Sequence, residues 1–197
     1  MKTIALFGTS ADPPTGERGH RGIVKWLTTT DLPELEGRAA EVWVLPVYQH
    51  VFEEKRGLSP FHHRMQMARL NFSDLPRVRV LPLERERPTD ASGTADLLDA
   101  LRRRRPNVRY ALALGEDTWR DLRAGRWRRS EAILERTPVV VLRRPGDAAS
   151  EEGYSVPEVE AVSSTDARAG QAAALYPPVR AYVARFGLYP RLDVGPG

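Results

Sequence analysis

The sequence predicts an α/β fold: a single doubly wound, Rossmann-like domain with a mostly parallel sheet. Three observations predict it. Short β-rich apolar runs alternate with longer stretches of helical spacing. Such alternation builds βαβ units, whose right-handed crossovers cover both faces of a parallel sheet. The length, 197 residues, suits one domain with a substantial core. No internal repeat or linker divides the chain, so residues 1–197 read as one unit.

The elements follow in order. Strands are expected at Thr3–Phe7, Glu41–Leu45, Val78–Leu83, Arg109–Leu114, Pro138–Leu142 and Glu158–Val162. Helical spacing covers Gly19–Thr29, Ser59–Leu70, Thr94–Arg104 and Thr118–Ala124. Ser59-Pro60 reads as an N-cap followed by proline at the first helical position. Thr165-Asp166 and Tyr176-Pro177-Pro178 open two short final helices, and Arg144–Val156 reads as an exposed loop.

Composition narrows the function. Hydrophobic residues make up 41% and charged residues 28%, the balance of a soluble globular protein. No apolar run approaches a membrane span, and Met1-Lys2 leads directly into the first strand without a signal segment. A cytoplasmic protein without a membrane partner is expected. The absence of cysteine excludes disulfides, thiolate metal sites and a cysteine nucleophile. Net charge is +4, and all but three of the 30 basic residues are arginine. The densest run, Arg102 to Arg105, ends a helical stretch and reads as a solvated C-terminus complementing the helix dipole. A nucleic-acid patch is the alternative, and no nucleic-acid partner is expected. His62-His63 is not read as a metal pair, because neighbours on a helix point in different directions.

In a doubly wound sheet, ligands bind beyond the carboxyl ends of the strands. Three suggestive stretches fall at such ends: Gly8–His20, Gly115-Glu116-Asp117 and Ser163-Ser164-Thr165. The first belongs to FGTSADPPTGERGH, too long for a simple reversal and shaped by glycine and proline. Neither the dinucleotide fingerprint G-x-G-x-x-G nor the P-loop G-x-x-x-x-G-K-[ST] follows strand one. Hydroxyls, the imidazole of His20, backbone amides near a helix start and Arg168 together form a phosphate-binding set.

These residues carry a resemblance. The opening loop is similar to the G-x-x-[FSA]-[DN]-P-x-[HT]-x-G-H loop of nucleotidylyltransferases, and VSSTDAR, Val162–Arg168, resembles their I-S-S-T-x-x-R motif. SGTADLL (Ser92–Leu98), LGEDTWRDLRAGRW (Leu114–Trp127), VVVLRRPG (Val139–Gly146) and YPPVRAYVARFGLY (Tyr176–Tyr189) resemble, in the same order, segments of bacterial nicotinate-nucleotide adenylyltransferases. The loop departs from the pattern by two extra residues between Thr15 and Gly19. Ala11 stands where an aromatic is common, Leu97 where a second Thr is usual, and Ala167 where Ile is usual.

The resemblance implies a reaction in which the phosphate of nicotinic acid mononucleotide attacks the α-phosphate of ATP, giving the dinucleotide and pyrophosphate. His20 and Arg168 are then the catalytic residues. ATP binding is implied for Gly8, Thr9, Ser10, Thr15, Gly19, His20, Gly115, Asp117, Ser163, Ser164, Thr165 and Arg168. Mononucleotide binding is implied for Asp12, Lys55, Thr94, Ala95 and Trp127. Mg²⁺ enters on the triphosphate, with no side-chain metal ligands. For several positions a structural role competes: Asp12 orders the loop, Asp117 caps a helix, Trp127 fills the core, and Ser163 to Thr165 cap a helix. The substrates are small molecules, ATP and a pyridine mononucleotide, and a homo-oligomer stays open. Alternatives are nicotinamide mononucleotide as main acceptor, a phosphopantetheine adenylyltransferase-like activity, or a nucleotide-binding regulatory module without turnover.

Overall fold

The computed structural model describes residues 1–48, 58–85, 93–143, 153–160 and 162–189. Lys2–Thr9 forms β1, buried on both faces because it lies mid-sheet. Parallel partners flank it, β2 (Glu41–Pro46) on one side and β4 (Val108–Gly115) on the other. β3 (Val78–Val80) lies beyond β2 and β5 (Val139–Leu142) beyond β4, giving the order β3-β2-β1-β4-β5 with every pairing parallel. Phe7 stands in register with Val44 on one side and Ala113 on the other.

The two-residue period of the strands sorts their side chains into two cores. Ala5, Phe7, Val42, Val44, Ala111 and Ala113 face α1 (His20–Thr29) and α2 (Phe61–Phe72), whose Val24, Leu27, Ala68 and Phe72 meet them. On the other face, Ile4, Leu6, Trp43, Leu45, Leu112 and Leu114 pack against α3 (Thr94–Arg104), α4 (Glu116–Arg123) and α5 (Ser130–Arg136) through Leu98, Leu101, Leu122 and Ile133. Burying each large apolar side chain contributes about 1.5–3 kcal/mol. A smaller cluster joins Met67 and Ala167, the latter on α6 (Ser164–Arg168), to Leu175 and to Val179 and Val183 of α7 (Pro177–Phe186).

The structure corrects several element expectations. β3 ends at Val80, because Pro82 brings no N–H to the ladder, although Leu81 still donates to the Val44 carbonyl at 3.0 Å. Ser59 does not cap α2. That helix starts at Phe61, and the Ser59 amide is directed to Asp12 instead. α4 begins at Glu116, two residues early, with Gly115 at its N-cap, so Asp117 lies inside the first turn and is not the cap. α5 was not expected; it follows Arg129, whose φ of 58° turns the chain, and Ser130 donates to the Trp127 carbonyl at 2.7 Å. Residues 158–160 form no strand. Val159 closes a turn onto Val156 and Glu160 donates to the Arg18 carbonyl at 2.8 Å, while Tyr154 supplies the isolated bridge to Leu142. Arg103, Arg104 and Arg105 are exposed at the end of α3, and Arg102 reaches the Arg136 carbonyl and the Thr137 hydroxyl. Among the described residues, no helix is long and apolar enough to cross a membrane.

Candidate functional site

After β1 the chain moves outward to β2 and β3, and after β4 it moves the other way to β5. The loops leaving the adjacent strands β1 and β4 therefore diverge and open a crevice at their carboxyl ends. Gly8 and Gly115 sit at this rim, both exposed, and a Cβ built on either would meet nothing within 4 Å. Among the described residues no side chain fills that space, so a ligand can approach the backbone here.

From Thr9 the loop turns inward. The Thr9 hydroxyl accepts from the Ala11 amide at 3.1 Å, and Ala11, with φ of 52°, is fully buried. The Asp12–Pro13 peptide is cis. The Asp12 carboxylate, 1% exposed, accepts from the Ser59 amide at 3.3 Å and from the Tyr189 hydroxyl, so this side chain orders the loop. Burial first, then that hydrogen bond to Asp12, pushes the Tyr189 phenol upward and keeps it a donor. Beneath the loop lies Arg64, 2% exposed, whose guanidinium donates to the carbonyls of Ser59, Ser10, Val47 and Tyr48. One buried cation thus ties the β1 loop to the end of β2 and the entry to α2. Burial pulls its affinity for a proton down, and the charge of Asp12 opposes that pull.

His20 opens α1. Its Nδ1 lies 2.6 Å from the Thr15 hydroxyl and accepts from the Thr15 amide at 3.2 Å. A backbone amide only donates, so Nδ1 carries no proton and Nε2 carries the N–H. Among the described residues Nε2 has no hydrogen-bond partner. Desolvation lowers the imidazole pKa from 6.5 to about 4, leaving the ring neutral at pH 7. The helix-start amides, expected to serve phosphate, are partly committed: the His20 amide donates to Thr15 Oγ1 at 2.9 Å and the Arg21 amide to the Thr15 carbonyl at 3.2 Å. Thr15, expected at ATP, is itself fully buried.

The distant serine motif closes onto this loop. Ser163 and Asp166 form a capping box at the start of α6, each side chain meeting the other's amide. Ser164 donates to the Pro13 carbonyl at 2.8 Å, across 151 residues of sequence. Arg168 donates to the Asp12 carbonyl and, at 3.1 Å, to the Thr165 hydroxyl, with its guanidinium 3.7 Å from the Asp12 carboxylate. Its side chain is still 36% exposed. The first and last motifs therefore meet in space, and together they present a neutral imidazole N–H and a guanidinium.

The other wall is α3 to α5. Thr94 and Ala95 occupy the first turn of α3, whose N-cap Gly93 supplies no capping side chain. Asp117 is exposed and pairs with Arg120 at 3.4 Å, while the neighbouring Glu116 is buried and lies 3.2 Å from the same guanidinium. Trp127 is half-buried, packing its ring against the second core. Ser10 is also half-buried, whereas Gly19 is buried. Lys55 lies outside the described residues. His63 serves packing, with Nδ1 2.9 Å from the Tyr182 hydroxyl of α7.

Sequence reasoning missed Arg64, Tyr189, Asn71 and Arg21. Asn71 donates to the Thr15 carbonyl at 3.0 Å, and Arg21, beneath the Tyr176 ring, pairs with Asp74 at 2.7 Å. No periodic signal marked them: α2 has no clear apolar face, so the stripe of Arg64, Ala68 and Asn71 does not tell inside from outside until its partners are seen.

The comparisons agree with this geometry. The cytidylyltransferase-like family matches residues 6–170. A probable nicotinate-nucleotide adenylyltransferase of Anaeromyxobacter dehalogenans (strain 2CP-C) is 31% identical over 170 residues, covering 85% of this chain and 83% of that protein. One from Albidiferax ferrireducens is 32% identical over 207 residues, covering 96% and 98%. Among solved structures, Plasmodium falciparum nicotinic acid mononucleotide adenylyltransferase complexed with NaAD has a TM-score of 0.76 at 20% identity, covering 96% of this chain and 98% of its own, and so shares the fold. With that fold, and with its first and last motifs joined at one crevice, the chain belongs to the cytidylyltransferase-like family, among the nicotinate-nucleotide adenylyltransferases.

Proposed function

We propose that this protein is a cytoplasmic adenylyltransferase of NAD biosynthesis, moving AMP from ATP to nicotinic acid mononucleotide. A phosphate oxygen of the mononucleotide attacks the α-phosphorus of ATP, the bond from that phosphorus to the β-phosphate oxygen breaks, and pyrophosphate leaves. The acceptor phosphate is already a nucleophile, so the reaction needs no activated side chain; it needs two anions held in line and charge neutralised on the leaving group. Mg²⁺ belongs to the substrate, carried on the triphosphate. The observation that carries the reading is that Ser164 and Arg168 reach back to Pro13 and Asp12 of the loop leaving β1, the same loop whose Thr15 holds His20, while Gly8 and Gly115 leave the strand ends uncovered. His20 supplies a neutral Nε2–H donor, and Arg168 a partly exposed cation.

Nicotinate as the acceptor's ring substituent fits the second wall. Thr94 and Ala95 begin α3, where first-turn amides have no acceptor within the helix, and Gly93 brings no side chain to cap them. A carboxylate accepts from such donors, whereas a carboxamide sets its own NH₂ against some of them. The test is pyrophosphate release from ATP and Mg²⁺ with a panel of phosphorylated acceptors. Release with nicotinic acid mononucleotide supports the reading, and release only with phosphopantetheine, or with none of the panel, rejects it.

A further inference from the structure

Thr15 stands at the position of the opening motif from which a direct phosphate contact is expected, yet it has no exposed surface. Its polar atoms are all engaged. The amide donates to His20 Nδ1 at 3.2 Å, the hydroxyl oxygen accepts the His20 amide at 2.9 Å, and the hydroxyl proton is left to point at Nδ1, 2.6 Å away. The carbonyl accepts from Asn71 Nδ2 at 3.0 Å and from the Arg21 amide at 3.2 Å. Asn71 is itself fully buried, so Thr15 is pinned from α2 as well as from α1.

We propose that Thr15 is a positioning residue that works through His20: it holds the imidazole as the Nε2–H tautomer, aims that N–H into the crevice, and does not touch the nucleotide. Two donors converge on Nδ1 from one residue. The opposite tautomer would set an imidazole N–H against the Thr15 amide N–H, a repulsive arrangement that no rotation of the hydroxyl relieves.

The two extra residues of the loop make this arrangement possible. They let Thr15 fold back until it touches Gly19, where a Cβ would come within 2.1 Å of Thr15 Oγ1, so only glycine fits under the ring. The inserted turn is braced from outside. The Gly16 amide donates to the Ala174 carbonyl at 2.7 Å, Glu17 pairs with Arg21 at 2.7 Å, and Arg18 pairs with Glu160 at 2.6 Å. The Phe7 ring, 6.1 Å away and edge-on, limits the tilt of the imidazole from the sheet side. Which phosphate the N–H meets rests on the adenylyl-transfer reading; the tautomer does not.

The experiment uses the full chain with ¹⁵N-labelled histidine, as wild type, Thr15→Ser and Thr15→Val, with the His20 signals assigned by their loss in His20→Gln. Wild type is expected to show Nδ1 as an unprotonated acceptor and Nε2 as N–H at pH 7. Thr15→Val is expected to give a tautomer mixture and a kcat lower by roughly tenfold to a hundredfold, with KM for ATP within about twofold. Thr15→Ser, which keeps the hydroxyl, restores both. An Nδ1–H ring in the wild type overturns the proposal, even if Thr15→Val does not fold. So does a Thr15→Val protein with unchanged kcat, or one whose KM for ATP rises at constant kcat, which marks direct phosphate contact. The tautomer spectrum needs no turnover, so its failure is distinguishable from a failure of the reaction itself.

Discussion

The two walls of the crevice use the same residue types in opposite ways. In the β1 loop wall, Arg64 and Asp12 are 2% and 1% exposed; Arg64 donates to backbone carbonyls, and Asp12 accepts from the Ser59 amide and the half-buried Tyr189 hydroxyl. Along α3 to α5, the half-buried Asp96 pairs with Arg128 and Arg129 at 3.4 and 3.0 Å, and the half-buried Asp99 with Arg129 at 2.9 Å, the two arginines being exposed. Buried charges locked onto carbonyls give one loop shape, whereas solvated pairs cost little to rearrange. Arginine content alone therefore says little about a partner; what matters is how far the guanidinium is enclosed by the chain's own backbone, as Arg64 is, or stays partly exposed, as Arg168 does.

The largest test of that contrast is stability. Arg64→Ala leaves four carbonyls without their shared donor and Asp12 with only Arg168 as a nearby cation, and is expected to cost about 3–5 kcal/mol in chemical denaturation. A loss under about 1 kcal/mol would mean that the loop does not depend on its buried cation.

His20→Ala comes next. Removing the Nε2–H donor is expected to lower kcat at least about a hundredfold, roughly 2.7 kcal/mol of transition-state stabilisation, with far-ultraviolet circular dichroism and melting cooperativity retained. Near-normal turnover in the folded variant would take His20 out of the chemistry.

The third is pH dependence. Folded His20 has a pKa of about 4 against 6.5 unfolded, so between those values the unfolded chain binds a proton that the folded chain refuses. Stability should therefore fall as pH drops from 6.5 towards 4 and gain no further loss from this group below that. Allowing for the partial exposure of the ring, the contribution is about 2 kcal/mol. His20→Gln should lack this slope, and identical pH profiles for the two proteins would contradict a neutral, desolvated ring.

The smallest expected effect belongs to the other wall. Arg129→Ala breaks pairs with Asp96 and Asp99 from an exposed guanidinium and is expected to leave the denaturation midpoint nearly unchanged. A cost matching that of Arg64 would erase the distinction between the walls.

Much of this was legible in the sequence because it depends on local pattern. The central strands Thr3–Phe7 and Arg109–Leu114 appear within one or two residues of expectation, since apolar runs buried on both faces leave little choice. The helix Thr94–Arg104 appears with the expected bounds. The placing of Gly8–His20 and Gly115–Asp117 at strand ends is also what a parallel topology requires, whereas Ser163–Thr165 follows no strand and joins the first loop through Ser164 on the Pro13 carbonyl. What escaped depends on tertiary partners. An arginine in a helix ordinarily points to solvent, so Arg64 reveals itself only through carbonyls supplied by other segments. Tyr189 reaches Asp12 from the far end of the chain, and no local pattern carries that contact. Thr15 looked like a phosphate ligand because its type and place suit one; only the closure of the longer loop shows that its hydroxyl faces His20.

The most direct test of the central claim compares kcat/KM for nicotinic acid mononucleotide and nicotinamide mononucleotide at identical ATP and Mg²⁺, read by pyrophosphate release. If buried or helix-start amides meet the ring substituent, the carboxylate should win by at least about tenfold, because the amide leaves donors unpaired. Equal values or a preference for the amide would contradict nicotinate as the substrate, and no release with either would contradict adenylyl transfer to a pyridine mononucleotide.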